Sequence, residues 1–353
     1  MTEDIQVTGI LPDEENRWND LLFSAINGSY RQSIPFEYTQ KLNGREIETF
    51  VFSKNGRDIA GVHYALKKSK KNLINVADVL SGFVFAHEPD EILLSFLVNH
   101  FYEWAKSNGA SYARINPWMP LSHSGNQTQY SSLFTNEMSR FGFRPINKGK
   151  HTYWIDLLEN DEKILSKMQP QVRNKIRKGE RSGLVMEKYE RIDSDLIKTF
   201  WTLYDSLGRI KGFHTISRER FDMEIVSMVN HNLANLFFTK FNDTIINVAI
   251  ASNFGEASYY YGAINPDFKS LKDCPSPGPF SQWFMIQTMK SKKLKVYDLG
   301  FCPGPVPQKE HPNYTVWKYK YDFGGDHIEF LPTYGKIIKP IRGGLFYFKR
   351  YGK

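Results

Sequence analysis

The same order of apolar patterns is laid down twice along this chain, and that order restricts the fold more than any other feature. In the first half, residues 47–52, 59–66 and 79–85 alternate or run apolar over strand-like lengths, and Asn55-Gly56 predicts a tight hairpin between the first two. Glu88-Pro-Asp-Glu opens a helix in which Leu93, Phe96, Leu97, Phe101 and Trp104 recur at helical spacing until Asn108-Gly109 ends it. A strand over 112–115, broken by Pro117, follows. The second half begins with a strand at 153–157, a helix from Asp161 to Met168, and a basic helix over 171–181 stopped by Gly183. Helices at 192–207 and 218–229 come next. Strands at 236–241, 245–253 and 257–261 then form a meander, with Asn242-Asp243 and Gly255 at its turns, before a helix at 280–289 and a strand at 296–299.

Each half thus reads as helices, a three-strand meander, a helix and a further strand, which predicts an α+β protein made of two copies of one unit. A chain of 353 residues also exceeds one typical core, since about 100–200 residues make a domain. The expected domains are 1–149 and 150–330, with the tail 331–353 open to packing back on the first. No linker rich in proline or serine separates the halves, so tight packing with a cleft between them is expected.

Composition excludes several classes. With 41% hydrophobic and 24% charged residues, the chain is globular. Aromatic residues make up 15%, which serves thick sheet cores first and stacking surfaces second. The net charge of +8 suits a polyanionic partner: tRNA, a nucleotide diphosphate or an anionic membrane face. Charge alone does not choose among them. The two cysteines, Cys274 and Cys302, sit in Pro/Gly-rich loops and make neither a disulfide framework nor a zinc ribbon. His311 lies near Cys302 without a CxxC or HxxxH partner, so no metal is expected. The start, Met1-Thr-Glu-Asp-Ile-Gln, has no apolar run, and no stretch approaches the ~20 apolar residues of a membrane span. A cytoplasmic, monomeric protein is expected, whose membrane contact would be peripheral.

Motifs near the end of the chain are more specific. A Tyr-Asp-Leu-Gly turn at Tyr297 to Gly300 precedes Tyr314-Thr-Val-Trp-Lys-Tyr-Lys-Tyr-Asp-Phe-Gly-Gly325. Earlier come Gln32-Ser33 with Phe36, then Lys41, Arg114-Ile-Asn-Pro117, Phe141-Gly-Phe143, and His151-Thr-Tyr-Trp-Ile-Asp156. Arg173-Asn-Lys-Ile-Arg-Lys178, Gly208-Arg-Ile-Lys-Gly-Phe213 and Tyr259-Tyr-Tyr-Gly-Ala263 complete the series. In this order and spacing the chain resembles the Fem family, over nearly its whole length. These transferases move an amino acid from aminoacyl-tRNA to a peptidoglycan precursor. The resemblance implies two tandem GNAT-like (acetyltransferase-like) domains and no cofactor. Residues 192–241 leave no room for the helical-hairpin arm that some members insert, so the armless form is implied.

The resemblance also implies roles. Acyl transfer from an ester to an amine passes through a tetrahedral oxyanion that needs a positioned cation or N–H donors. Lys320 occupies the position of the family lysine in that role, with Tyr319 where the family usually has phenylalanine. Read without the motif, Lys318 and Lys320 share one face of an alternating surface strand, with Tyr319 and Tyr321 on the other. Arg209, before Gly-Phe213, and Lys41, one position out of step with the family's lysine, are candidates for a substrate diphosphate. Phe213 and Tyr261 are further candidates to contact the substrate; Arg209 reads equally as a helix C-terminal residue, and Tyr261 reads more readily as a core tyrosine. Asn116 stands where the family has an acceptor-contacting aspartate; it keeps the shape and one acceptor oxygen but loses the charge. Arg173, Arg177 and Arg181 repeat at i+4 and place three guanidiniums on one helical stripe, either a track for tRNA phosphates or a solvated face.

Two other functions compete. An acyl-CoA-dependent N-acyltransferase of the same fold needs an Arg/Gln-x-x-Gly-x-Gly/Ala pyrophosphate loop, and Arg342-Gly-Gly344 has the wrong spacing for it. A non-catalytic RNA-binding protein would use the basic stripe and would require neither Lys320 nor Arg209.

Overall fold

The computed structural model describes residues 4–11, 14–69, 74–212 and 214–351. It contains two compact units: 1–151 with 328–353, and 152–327.

The first unit is organised by an eight-stranded sheet. Its longest ladder joins Arg45–Lys54 to Arg57–Lys67 antiparallel. Asn55 and Gly56 turn between them with φ of 53° and 72°, which is the backbone a two-residue hairpin needs and which Asn-Gly adopts readily. Val76–Val79 and Tyr112–Ile115 pair in parallel, and Tyr334–Ile337 adds antiparallel to the latter. The helix Glu91–Ser107 starts where the Asp90 carboxylate accepts a hydrogen bond from Leu93 N, 2.7 Å away. It buries Leu94, Leu97, Val98 and Phe101 against the sheet; Leu93, Phe96 and Trp104 pack at the margin of the same core.

The apolar run at 79–85 is not one strand. Val76–Val79 ends, and Val84–Phe85 starts a separate pairing with Arg57–Lys67. The backbone between them is satisfied by side chains: Gln32 Nε2 donates to Ser81 O (3.0 Å) and Asn27 Nδ2 to Phe83 O (2.8 Å). Arg114 grips the buried Asp78 with two nitrogens, its Nη2 at 2.9 Å, and Arg45 pairs with the same carboxylate. Nearby, burial raises the Glu37 carboxyl to about 8 against the pull of Ser81 and Arg45.

In the second unit, Val185–Tyr189, Ala234–Phe241, Thr244–Ser252 and Glu256–Ile264 form an antiparallel run, with Asn242-Asp243 (φ 45° and 62°) at the central turn. Val296–Asp298 adds parallel to Glu256–Ile264, and Trp154 to Asp156 then add antiparallel to it. Helices Pro170–Arg181 and Pro277–Ser291 contribute Val172, Ile176, Trp283 and Ile286 to the core over this sheet. The stretch 218–229, expected as one helix, is interrupted by a π turn at Asp222–Val226. After Ser194–Lys211 only short helical segments precede Ala234, so the described residues hold no long hairpin arm.

The expectation of an alternating strand around Lys320 is overturned. Tyr314–Asp322 is a helix, and Trp317 and Lys320, three residues apart, are its buried side chains together with Asp322.

Candidate active site

The second unit opens where two parallel strands part. Glu256–Ile264 and Val296–Asp298 pair over three residues only, Glu256–Ser258 against Val296–Asp298. The first strand continues through Tyr259, Tyr260 and Tyr261, while the second chain turns away at Gly300, whose φ is 83°. The Asp298 carboxylate, 1% exposed, pins the turn: Gly300 N donates to its Oδ1 at 2.8 Å, and the Thr152 and Ser258 hydroxyls also reach it. Thr152 Oγ1 lies 2.7 Å from Gly300 O as well.

Lys320 enters this fork from the last turn of Tyr314–Asp322. It is only 8% exposed, and its Nζ donates to Phe301 O at 2.6 Å. A Cβ on Gly300 would sit 3.1 Å from that Nζ and 3.1 Å from Tyr259 O, so glycine fits here for both its backbone angle and its size. A cation is thus held in low-dielectric surroundings beside a backbone turn, where it acts more strongly on a developing negative charge than in water.

Tyrosines line the same region. Tyr319 packs edge-on to Phe323, and its hydroxyl would lie 3.3 Å from a Cβ on Gly278, in the first turn of Pro277–Ser291. Burial, with Tyr259 close by, pushes the Tyr319 phenol far above its ordinary range, and burial raises Tyr259 to about 12. Both rings therefore stay neutral hydrogen-bonding groups. Cys302 is no nucleophile: burial raises its thiol to about 11 despite the opposing charge of Lys320. Among the described residues no group of three His, Cys, Asp or Glu could hold a metal ion.

The other expected site residues fall elsewhere or have work within the fold. Tyr261 is half-buried and packs edge-on to Tyr204, 5.5 Å away on the helix Ser194–Lys211. Arg209 lies in the last turn of that helix, 74% exposed, paired with Asp205 at 2.7 Å. Phe213 lies outside the described residues. In the first unit, Lys41 is exposed, its Nζ 3.9 Å above the Tyr38 ring. The Asn116 amide is engaged at both ends: Nδ2 donates to Leu80 O (2.6 Å), and Oδ1 accepts from Thr333 (3.3 Å). Arg173 caps the preceding helix, its Nη1 donating to Met168 O (2.8 Å) and Ser166 O (3.2 Å), whereas Arg177 and Arg181 are exposed. Of the three-arginine stripe, then, two members face solvent with no internal partner among the described residues.

Asp298, Thr152 and Tyr259 were given no role by sequence reasoning. Each lies inside a motif that was noticed: Tyr297 to Gly300, His151 to Asp156, and Tyr259 to Ala263. The motifs were the signal; the hydrogen bond from Thr152 to Asp298 that joins two of them spans 146 residues of sequence.

Comparison with known proteins follows this geometry. The sequence profile of the FemAB family matches residues 22–222, and that of the acetyltransferase (GNAT) domain matches residues 166–311. No curated protein matches the sequence. Among solved structures, one described as FemX superposes with a TM-score of 0.83 at 18% identity, over 98% of this chain and 100% of that one. The C-terminal domain of a putative lysylphosphatidylglycerol synthetase from Agrobacterium fabrum gives 0.58 at 15% identity, covering 94% of each chain. A tandem GNAT protein of the clavulanic acid pathway gives 0.51 at 12% identity, over 94% of this chain and 98% of that one. The fold is thus a tandem of GNAT-like domains.

Proposed function

The chain belongs to the FemAB family, and from that premise we propose that it is an aminoacyltransferase that carries an amino acid from aminoacyl-tRNA to an amine of a peptidoglycan precursor. That it is a transferase of Fem and GNAT-like kind follows from the family and the fold. The observation that carries the finer reading is the buried Lys320 ammonium at the fork beside Gly300 and Phe301.

In this reading the acceptor amine attacks the ester carbonyl of the charged tRNA. A C–N bond forms, and the carbonyl oxygen takes the negative charge. The Lys320 ammonium donates to that oxyanion. Collapse breaks the ester C–O bond, the ribose oxygen leaves, and the proton lost by the amine ends on it. Loss of one positioned donor of this kind costs about 10²–10³ in rate. Tyr319, adjacent to Lys320 in the helix, keeps its own place through its edge-on contact with Phe323. The family resemblance assigns the acceptor's diphosphate to Arg209, with Lys41 as the second candidate, and gives Tyr261, Phe213 and Asn116 to the acceptor as well. Arg177 and Arg181, with Arg173 at the edge, are assigned tRNA phosphates. A charged-tRNA donor assigns this reaction to the cytoplasm.

The acyl-CoA reading fits the helix Pro277–Ser291 less well. Pro277 and Pro279 remove two of its first three N–H groups, which are donors a pyrophosphate would use at a helix N-terminus. The deciding experiment incubates the protein with total charged tRNA and muropeptide acceptors and reads the acceptor by mass. A gain of one aminoacyl residue that requires charged tRNA supports the proposal. An acetyl-CoA-dependent acetyl gain, or tRNA binding without transfer to any amine, overturns it.

A further inference from the structure

The helix Pro340–Tyr351 has two apolar faces, and the described residues cover only one of them. The inner face packs on the strand Tyr112–Ile115. Gly343 lies so close to it that a Cβ would come 2.2 Å from Ser111 O, and the Phe346 ring sits 5.0 Å from Tyr112. Tyr351 closes this face by accepting a hydrogen bond from Arg114 Nη1 at 3.0 Å. On the outer side, Ile341, Leu345 and Phe348 are 81%, 62% and 71% exposed. Their spacing of four and three residues puts them within one narrow stripe of the helix. Exposing three large apolar side chains in a row has no folding benefit, since the helix is already anchored by its other face.

Charge identifies what covers the stripe. Arg342 and Lys349 flank it on one side at helical spacing, Arg350 follows, and all three are exposed. None of them has an ion-pair partner among the described residues. No acidic residue follows Glu329, whereas six lysines and arginines do. A second copy of the same face would oppose cation to cation. We propose that this helix lies flat on an anionic lipid surface, with Ile341, Leu345 and Phe348 entering the acyl boundary and Arg342 and Lys349 on the headgroup phosphates. Basic residues beside a stripe of leucine and phenylalanine are the pattern of an interfacial helix. No helix among the described residues is long and apolar enough to cross a membrane, so the contact is in the plane of the interface. The surface belongs to the first unit and does not depend on the transfer chemistry.

The test is co-sedimentation of the full chain with phosphatidylcholine vesicles, with and without phosphatidylglycerol. Wild type should bind the anionic vesicles at low salt and release from them as salt rises, and should ignore pure phosphatidylcholine. Leu345→Gln with Phe348→Gln should weaken binding by about tenfold or more, as should Arg342→Gln with Lys349→Gln. Both variants should melt like wild type, because the substituted side chains are exposed. Wild-type protein that stays with the supernatant, or variants that bind as well as wild type, would overturn the proposal. So would a solution dimer that the Leu345→Gln, Phe348→Gln variant dissolves, which would assign the stripe to a second copy.

Discussion

Replacing Lys320 by methionine separates a transition-state role from a structural one, and the structure sets the size of both. The side chain is 8% exposed and its Nζ donates to Phe301 O at 2.6 Å. A hydrogen bond from a charged donor contributes about 1.5–3 kcal/mol, and methionine leaves that carbonyl without it. At about 2–4 °C per kcal/mol for a domain of this size, the melting temperature should fall by roughly 3–12 °C. The protein should remain folded at 25 °C. If the ammonium also meets the oxyanion, turnover should fall by about 10²–10³ at that temperature, with acceptor binding changed far less. Lys320→Arg keeps a donor for Phe301 O while moving the charge, so it should recover stability more than rate. The assay is a thermal melt alongside single-turnover transfer from charged tRNA to a muropeptide. A methionine variant that loses stability as stated and keeps its turnover would refute the catalytic assignment and leave Lys320 as a structural tie.

Gly300→Ala should fall in both properties, since φ of 83° costs alanine about 1–2 kcal/mol and its Cβ would displace the Lys320 Nζ 3.1 Å away; a melt and a turnover measurement check it, and wild-type turnover would separate Lys320 from Gly300. Glu37 has its folded pKa raised from 4.5 to about 8, so its contribution to stability is complete below about 4.5 and is lost as pH rises toward 8. Glu37→Gln should therefore match wild type near the acid end and exceed it progressively up to pH 8, by at most about 5 kcal/mol, in urea melts across that range. His63 has the opposite sense: burial lowers it from 6.5 to about 4, so its contribution is present above 6.5 and disappears as pH falls toward 4, a loss that His63→Gln should remove in the same melts. For the basic helix, Arg177→Ala with Arg181→Ala should flatten the salt dependence of tRNA binding by about two units or less. Arg173→Ala should instead lower the melting temperature, because that guanidinium caps the carbonyls of Ser166 and Met168; an unchanged slope in the double variant would return the stripe to a solvated face.

Much of the fold was legible because its signals are local. Period-two patterns, Asn-Gly and Asn-Asp turns and a capping aspartate fix a strand, a hairpin or a helix start within a few residues, whatever lies across the core. The hairpin at Asn55-Gly56 and the helix opened by Asp90 are of that kind. Motif order carried the family as well, and with it Lys320. The state of Lys320 was decided at long range. Trp317 to Tyr321 alternates aromatic and basic residues and reads as a strand, yet it winds into a helix. That winding buries Trp317, whose indole donates to Pro305 O at 2.7 Å, and points Lys320 at Phe301 O on the same side. Those two acceptors lie outside the segment, and their combined hold outweighs its weak local preference. The same reason explains Asn116, Gln32 and Arg173, whose side chains bind carbonyls and loops that no spacing rule places beside them. Sequence names the residue types near a site; which of them are left for a substrate depends on which hydrogen bonds the folded backbone has already taken.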